Sequence, residues 1–433
     1  MQRLFLMALV CFALVACASN TPRTALPVAH DASTEHAQLL VMLRAPPQHF
    51  QPASVYGGSY RSSSDEAARR RVARQLAREH NLVLIDDWPM PSLGLDCFVM
   101  RAADGVSTAA LADLLAKDSR VESAQPMQLF HVLAQPETSQ SDKKGDPLYT
   151  LQPAASRWHL SELHQTATGK GVTIAQIDSG VDAVHPDLQG QVVQTRNFID
   201  DNPYRPEKHG TEVAGIMVAH EGNGLGIAGI APDAHLLALR ACWEDPAHDT
   251  TAICSSFTLA KALQFAMESR ASVLNMSLAG PDDRLLGRLL DVVMARHITV
   301  VSAVDENLAG GGFPASYPGV FAVAGDHVEH GPPGVLYAPS HDIPATAPGG
   351  AWDFVTGSSF AAAQVSGLVA LMRELSPEIT AARLRDAMEP ETTLGLTAQR
   401  PAMIDACAAV ARASGHCACD CTAVSVTSSA PRR

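Results

Sequence analysis

Val172-Thr173-Ile174-Ala175-Gln176-Ile177-Asp178-Ser179-Gly180 is the stretch that decides the fold of this chain. The run is short, largely β-branched or Ala, and lacks strict alternation, so it predicts a parallel strand buried on both faces. Asp178 then emerges at the carboxyl end of the sheet, where open α/β folds bind their ligands. Downstream, His209-Gly210-Thr211 opens a small and apolar run through Val213 and Ile216 that predicts a helix. Gly210 allows close backbone approach, and Glu212 sits in a first turn that favours an acid. Gly357-Ser358-Ser359 opens a third run, Phe360 to Leu371. Gly357 permits the tight turn, and Ser359 stands at a helix N-terminus, where unpaired N–H groups face any developing anion. Each segment alone reads equally as a turn between strand and helix. In this order, an acid, an imidazole and a hydroxyl at the edges of buried elements are the parts of a nucleophilic triad.

At these residues the chain resembles the subtilisin-like serine proteases, the subtilase family. The order is Asp, His, Ser, with separations 209 − 178 = 31 and 359 − 209 = 150 residues. Asn275-Met276-Ser277-Leu278 is similar to the family's substrate-binding strand, Gly226 to Pro232 to a family loop, and Phe313 to Pro318 to the wall behind its specificity pocket. The likeness runs from about residue 145 to 412. It implies an α/β fold, a subtilisin-like doubly wound and mostly parallel sheet, in a catalytic domain over residues 148–412. The implied activity is that of a serine endopeptidase in which Asp178 orients His209, His209 takes the proton of Ser359, and Ser359 attacks a peptide carbonyl. Protein or peptide substrates would pair with Ser277, Leu278 and Ala279 by strand addition. Gly312 falls at the floor of the primary pocket, leaving it open to large apolar side chains, while Ala279, in place of the usual Gly, narrows a neighbouring subsite.

Some positions depart from the family pattern. Asp305 falls in the oxyanion hole, where most members carry Asn; a protonated Asp305 would donate there and move the optimum to mildly acidic pH, and Asn307 supplies the amide if the alignment slips. Glu212 replaces a common second His, Ser358 a Thr, and Ala363-Gln364 a Pro-His pair. Asp187 matches a family calcium ligand and Asn223 lies in a loop like its partner loop, so the resemblance implies calcium; a turn cap is the alternative reading. Cys242 and Cys254 flank a loop that the resemblance puts at the rim of the substrate groove, where a disulfide adds about 3 kcal/mol in the chain-entropy model.

The first part of the chain reads as targeting and processing. Residues 1–17 form a signal peptide too short in its apolar core to span a bilayer, and Leu14-Val15-Ala16-Cys17 matches a bacterial lipobox that attaches lipid to Cys17. Ordinary cleavage after Ala18 is the runner-up. Residues 18–34 are a polar tether. Over residues 35–133 the pattern β-α-β-β-α-β, with Ser64 and Ser107 as helix caps and Pro46 to Ser63 as an inserted loop, predicts a small ferredoxin-like α+β domain. Its place before the catalytic part resembles a subtilase propeptide, acting as an intramolecular inhibitor. Residues 134–147 read as an exposed, cleavable linker, and residues 413–433 as a cysteine-containing tail.

A formal charge of −13 argues against nucleic acid as a partner. The arginine-rich helix at Arg69 to Arg78 reads as a solvated face. His416, Cys417, Cys419 and Cys421 suggest a metal site, but single-residue gaps between the cysteines are too short for a structural zinc motif, and Cys407, Cys417, Cys419 and Cys421 read as disulfide partners, within the chain or with another. The expectation is a lipid-anchored serine endopeptidase made as a zymogen, exported to the bacterial cell envelope and anchored at the outer membrane or released. Two alternatives are a weakly active or inactive subtilase-fold peptide-binding protein, and an envelope structural protein joined to partners through its tail.

Overall fold

The computed structural model describes residues 37–44, 58–133, 135–137, 146–244, 252–326, 328, 331–389, 403–415 and 419. The signal segment, Cys17, the tether, Cys417, Cys421 and most of the linker and tail lie outside them.

Two sheets carry most of the structure. The first is antiparallel, with β1 (Gln38–Arg44), β2 (Val83–Met90), β3 (Leu95–Arg101) and β4 (Ser123–Pro126) in the order β2-β3-β1-β4. Alternation along β1 splits its side chains: Leu39, Val41 and Leu43 pack with Ala73 and Leu76 of the helix Gly58–Glu79, while Leu40 and Met42 join the core of the downstream unit. The helix Gly58–Glu79 begins earlier than the sequence suggests, so Ser64 lies inside it and the last residues of the expected loop are helical. Ser107 does cap the helix Thr108–Leu115, accepting from the Ala110 N–H.

The second sheet has seven strands. They are β7 (Thr173–Asp178), β8 (Val192–Asn197), β9 (His235–Arg240), β12 (Val273–Met276), β14 (Thr299–Ala303), β15 (Phe321–Gly325) and β16 (Leu336–Ala338). The order is β16-β15-β14-β12-β7-β9-β8, and every pairing within it is parallel. Ile174 faces one core and Ala175 and Ile177 the other, which is why β7 reads as an unbroken apolar run. Strands following β7 are laid down first on one side of it and then on the other. Asp178 therefore ends the strand at the point where the winding reverses, a position that leaves a crevice beyond the strand ends.

A third sheet joins β10 (Cys242–Glu244), β11 (Ala252–Ser255), β5 (Leu129–Val132) and β13 (Leu278–Ala279) in the order β10-β11-β5-β13. A fourth pairs β17 (Ile343–Ala347), β18 (Ala351–Thr356) and β6 (Gln135–Glu137). The expected linker thus contains a strand, β6, because backbone pairing with β18 requires no apolar side chain. Among the described residues no helix is long and apolar enough to cross a membrane.

Candidate active site

Asp178 and His209 meet where the reversal of the sheet leaves room. Asp178 Oδ1 accepts from the Ser179 N–H at 2.6 Å and lies 2.7 Å from His209 Nδ1. An ionised carboxylate only accepts, so the proton of a neutral imidazole sits on Nδ1 and the Nε2 lone pair is left free. Nε2 is buried and makes no hydrogen bond. Burial lowers the imidazole pKa, but Asp178, followed by Glu212 and Glu244, outweighs it, so His209 is raised above its ordinary value.

His209 is the second residue of the helix Lys208–Val218, whose start is fixed from several sides. The Glu207 carboxylate accepts from the Gly180 N–H at 2.7 Å and from Arg240 Nε and Nη2 at 2.8 and 2.7 Å. Gln176 Nε2 donates to Gly210 O at 2.8 Å, and the Gly210 N–H donates to Ser179 Oγ at 2.9 Å. A Cβ on Gly210 would stand 2.4 Å from Ser179 O, so the glycine here answers a close approach.

Ser359 is the second residue of the helix Ser358–Leu375 and is fully buried. Its Oγ donates to Ser277 O at 2.9 Å and accepts from the Leu133 N–H at 3.2 Å. Ser277 Oγ in turn donates to Ser359 O at 2.9 Å and accepts from Asn275 Nδ2 at 3.0 Å, and Ser366 Oγ donates to Asn275 Oδ1 at 2.8 Å. The hydroxyl thus lies against the strand and the chain's own Leu133, while the acid and imidazole are already coupled.

Leu133 arrives there on β5, which fills the slot between β11 and β13. His131 faces Ile253 on one side and Ala279 on the other, and Val132 faces Leu278. Beyond Ser359, β6 pairs with β18, Gln135 opposite Thr356. The strands expected to take an extended peptide therefore hold a segment of this same chain. Phe130 is fully buried, its ring 6.1 Å from that of Phe313 and close enough to Gly280 that a Cβ there would stand 2.3 Å from Phe130 Cδ1. Gly280 and Phe313 exchange backbone hydrogen bonds of 2.8 and 2.9 Å.

Several other expected residues are placed less simply. Gly312 lies beside Ala279 and Leu308: a Cβ there would stand 2.8 Å from Leu308 Cδ1 and 3.3 Å from the Ala279 methyl. Asp305 follows β14, half-buried, and its Oδ1 accepts from the Asn307 N–H at 2.9 Å and from Asn307 Nδ2 at 3.0 Å. Asp187 and Asn223 meet, but through an N–H: Asn223 Nδ2 donates to Asp187 Oδ1 at 2.8 Å. The Ile227 N–H and Trp352 Nε1 donate to Asp187 Oδ2 at 3.1 and 3.0 Å, and Asn223 Oδ1 accepts from the Leu225 N–H at 2.8 Å. Calcium would need oxygen lone pairs here, and three N–H donors already use those of the Asp187 carboxylate. Cys242 and Cys254 face one another across β10 and β11 in a disulfide, as expected. Cys407 bonds Cys419, one pairing within the expected tail set.

Glu207, Arg240, Ser366 and Trp352 were missed in the sequence. Their partners are 27 to 165 residues away, as in Gly180 with Glu207 and Asp187 with Trp352, and no local pattern marks such pairs.

The family model described as the subtilase family, Peptidase_S8, matches residues 169–403, more than half of the chain. The "Intracellular serine protease" of Paenibacillus polymyxa is 32% identical over 244 residues, covering 52% of this chain and 72% of that protein. "Subtilisin E" of Bacillus subtilis is 32% identical over 252 residues, covering 53% and 62% respectively. Among solved structures, fervidolysin from Fervidobacterium pennivorans, described as a keratinolytic enzyme related to subtilisin, aligns with TM-score 0.62 at 20% identity, over 86% of this chain and 60% of that one. This last likeness is one of fold.

Proposed function

This chain belongs to the subtilase family of serine endopeptidases, and on that ground we propose that Asp178, His209 and Ser359 cleave peptide bonds as a triad in a protein made as a zymogen. Asp178 holds the Nδ1 proton. When the Ser359 hydroxyl turns from Ser277 O to His209 Nε2, the imidazole takes its proton as Oγ bonds to the carbonyl carbon. The same proton then passes to the leaving amine, and water reverses the sequence to release the acid. N–H groups at the start of the Ser359 helix, with Asp305, face the oxyanion.

The observation that carries this reading is the Leu133 N–H on Ser359 Oγ, with β5 held between β11 and β13. It supports residues 35–133 as a ferredoxin-like propeptide whose last residues occupy the groove, and Leu133–Ala134 as the maturation bond. Strand order β2-β3-β1-β4 with helices on one face supports that fold for the propeptide. We also propose lipid attachment at Cys17 and a place in the bacterial cell envelope, from the lipobox. Substrates are extended peptides that replace β5. The loop at Asn223 is proposed to be held by hydrogen bonds to Asp187 in place of calcium.

A fluorophosphonate probe should label the protein once it has been processed, and Ser359→Ala should abolish both labelling and shortening of the chain to a form beginning at Ala134. Labelling that survives the substitution would sink the assignment. A second reading, a peptide-binding subtilase fold with little activity, draws on the Ser359 hydroxyl bonded to Ser277 O and on the Asp305 carboxylate. Absence of labelling in a processed, folded protein would favour it.

A further inference from the structure

Glu212 lies one turn after His209 on the same helix, and residues three apart share a helix face. It is 2% exposed, and its Oε1 makes no hydrogen bond. Lys208 Nζ lies 3.7 Å away and is itself closer, at 2.8 Å, to Asp353. A carboxylate in such a place is costly to ionise. Burial pushes Glu212 up to about 7, with His209 and Lys208 pulling it down and Asp353 and Glu244 adding to the rise.

The other charged groups around the pair can be enumerated. Asp178 faces His209 from β7, Glu244 accepts the Lys208 N–H from β10, and Asp353 reaches Lys208 from β18. Arg240 of β9 is closed on Glu207, with Arg205, and His235 sits at the exposed far end of that strand. β17 carries no charged residue, and Arg373 and Glu374 of the Ser359 helix bond elsewhere.

We propose that Glu212 is a second carboxyl acting on His209, a positioning residue that couples the imidazole to a proton of its own. With Glu212 protonated, Asp178 and Glu244 stabilise the imidazolium. With Glu212 ionised, a further negative charge on the same helix face stabilises it more, so the two groups lose their protons as a coupled pair. The proposal rests on His209 being the base of the reaction above.

A negative Glu212 raises the His209 pKa, so removing that charge lowers it and carries the acid limb of activity to lower pH. The test is the pH profile of kcat/KM for the self-processed wild type, Glu212→Gln and Glu212→Asp, each produced from the full chain. Wild type should show a two-step acid limb. Glu212→Gln should show a single-proton limb displaced downward by about one pH unit, for one charge three residues along the helix with Lys208 nearby, and a plateau several-fold lower. Glu212→Asp should keep the two-step form. In a Ser359→Ala background, the His209 imidazole resonances should titrate lower by the same amount when Glu212→Gln is added. Unchanged midpoints in both measurements would reduce Glu212 to a structural residue. If the wild type hydrolyses nothing, the triad reading fails, and the resonance titration alone still decides the role of Glu212.

Discussion

Gly280→Ala tests the proposed substrate groove at one atom. Burying a Phe side chain contributes about 2–3 kcal/mol, an upper figure because a free peptide already hides part of its surface. At 1.4 kcal/mol per factor of ten, kcat/KM for a peptide Leu-Phe-His-Val-Leu should exceed that for Leu-Ala-His-Val-Leu by about 30- to 100-fold. A methyl on residue 280 would stand 2.3 Å from Phe130 Cδ1, far inside the ~3.5 Å at which carbon atoms attract. Gly280 cannot retreat, since it exchanges two backbone hydrogen bonds with Phe313. The variant should therefore bring the ratio below about threefold while leaving the Ala peptide within about twofold of wild type, the contact being lost only for the large side chain. Fluorogenic peptides of the two sequences measure this directly. A variant that keeps a 30-fold preference, or a wild type that never had one, would refute the register in which β5 stands for substrate.

Asp305→Asn should raise turnover at neutral pH by about tenfold or more, since one oxyanion donor is worth on the order of 10²–10³; an unchanged rate would remove Asp305 from the hole. Trp352→Phe deletes one of two donors to Asp187 Oδ2, at a cost of about 1–3 kcal/mol, and should lower the unfolding temperature by several degrees. Wild type should unfold at the same temperature in excess calcium and in chelator, and a rise with calcium would restore the ion to this site. Cys17→Ser should move the protein from the membrane fraction to the soluble one; unchanged partition would exclude lipid at Cys17.

Much of this site was legible in the chain because its chemistry is attached to local signals. Asp178 ends an apolar run whose two-faced burial dictates composition, and His209 and Ser359 open helices rich in small residues because their backbones approach neighbours closely, as Gly210 does Ser179. Those constraints act within a few residues, so they leave a pattern along the sequence. What only the tertiary structure decided are the relations between distant segments. Nothing in Leu129 to Leu133 tells that it lies on Ser359, because strand pairing uses backbone groups that every residue carries. Asp187 looks like a ligand in the chain and is met by N–H donors in the fold, one of them from Trp352, 165 residues away. Only the fold brings Leu308 and the Ala279 methyl within reach of Gly312. Glu212 is an ordinary first-turn acid in the sequence; burial in the fold pushes its pKa up to about 7, since the cost of its charge is set by what surrounds it in space.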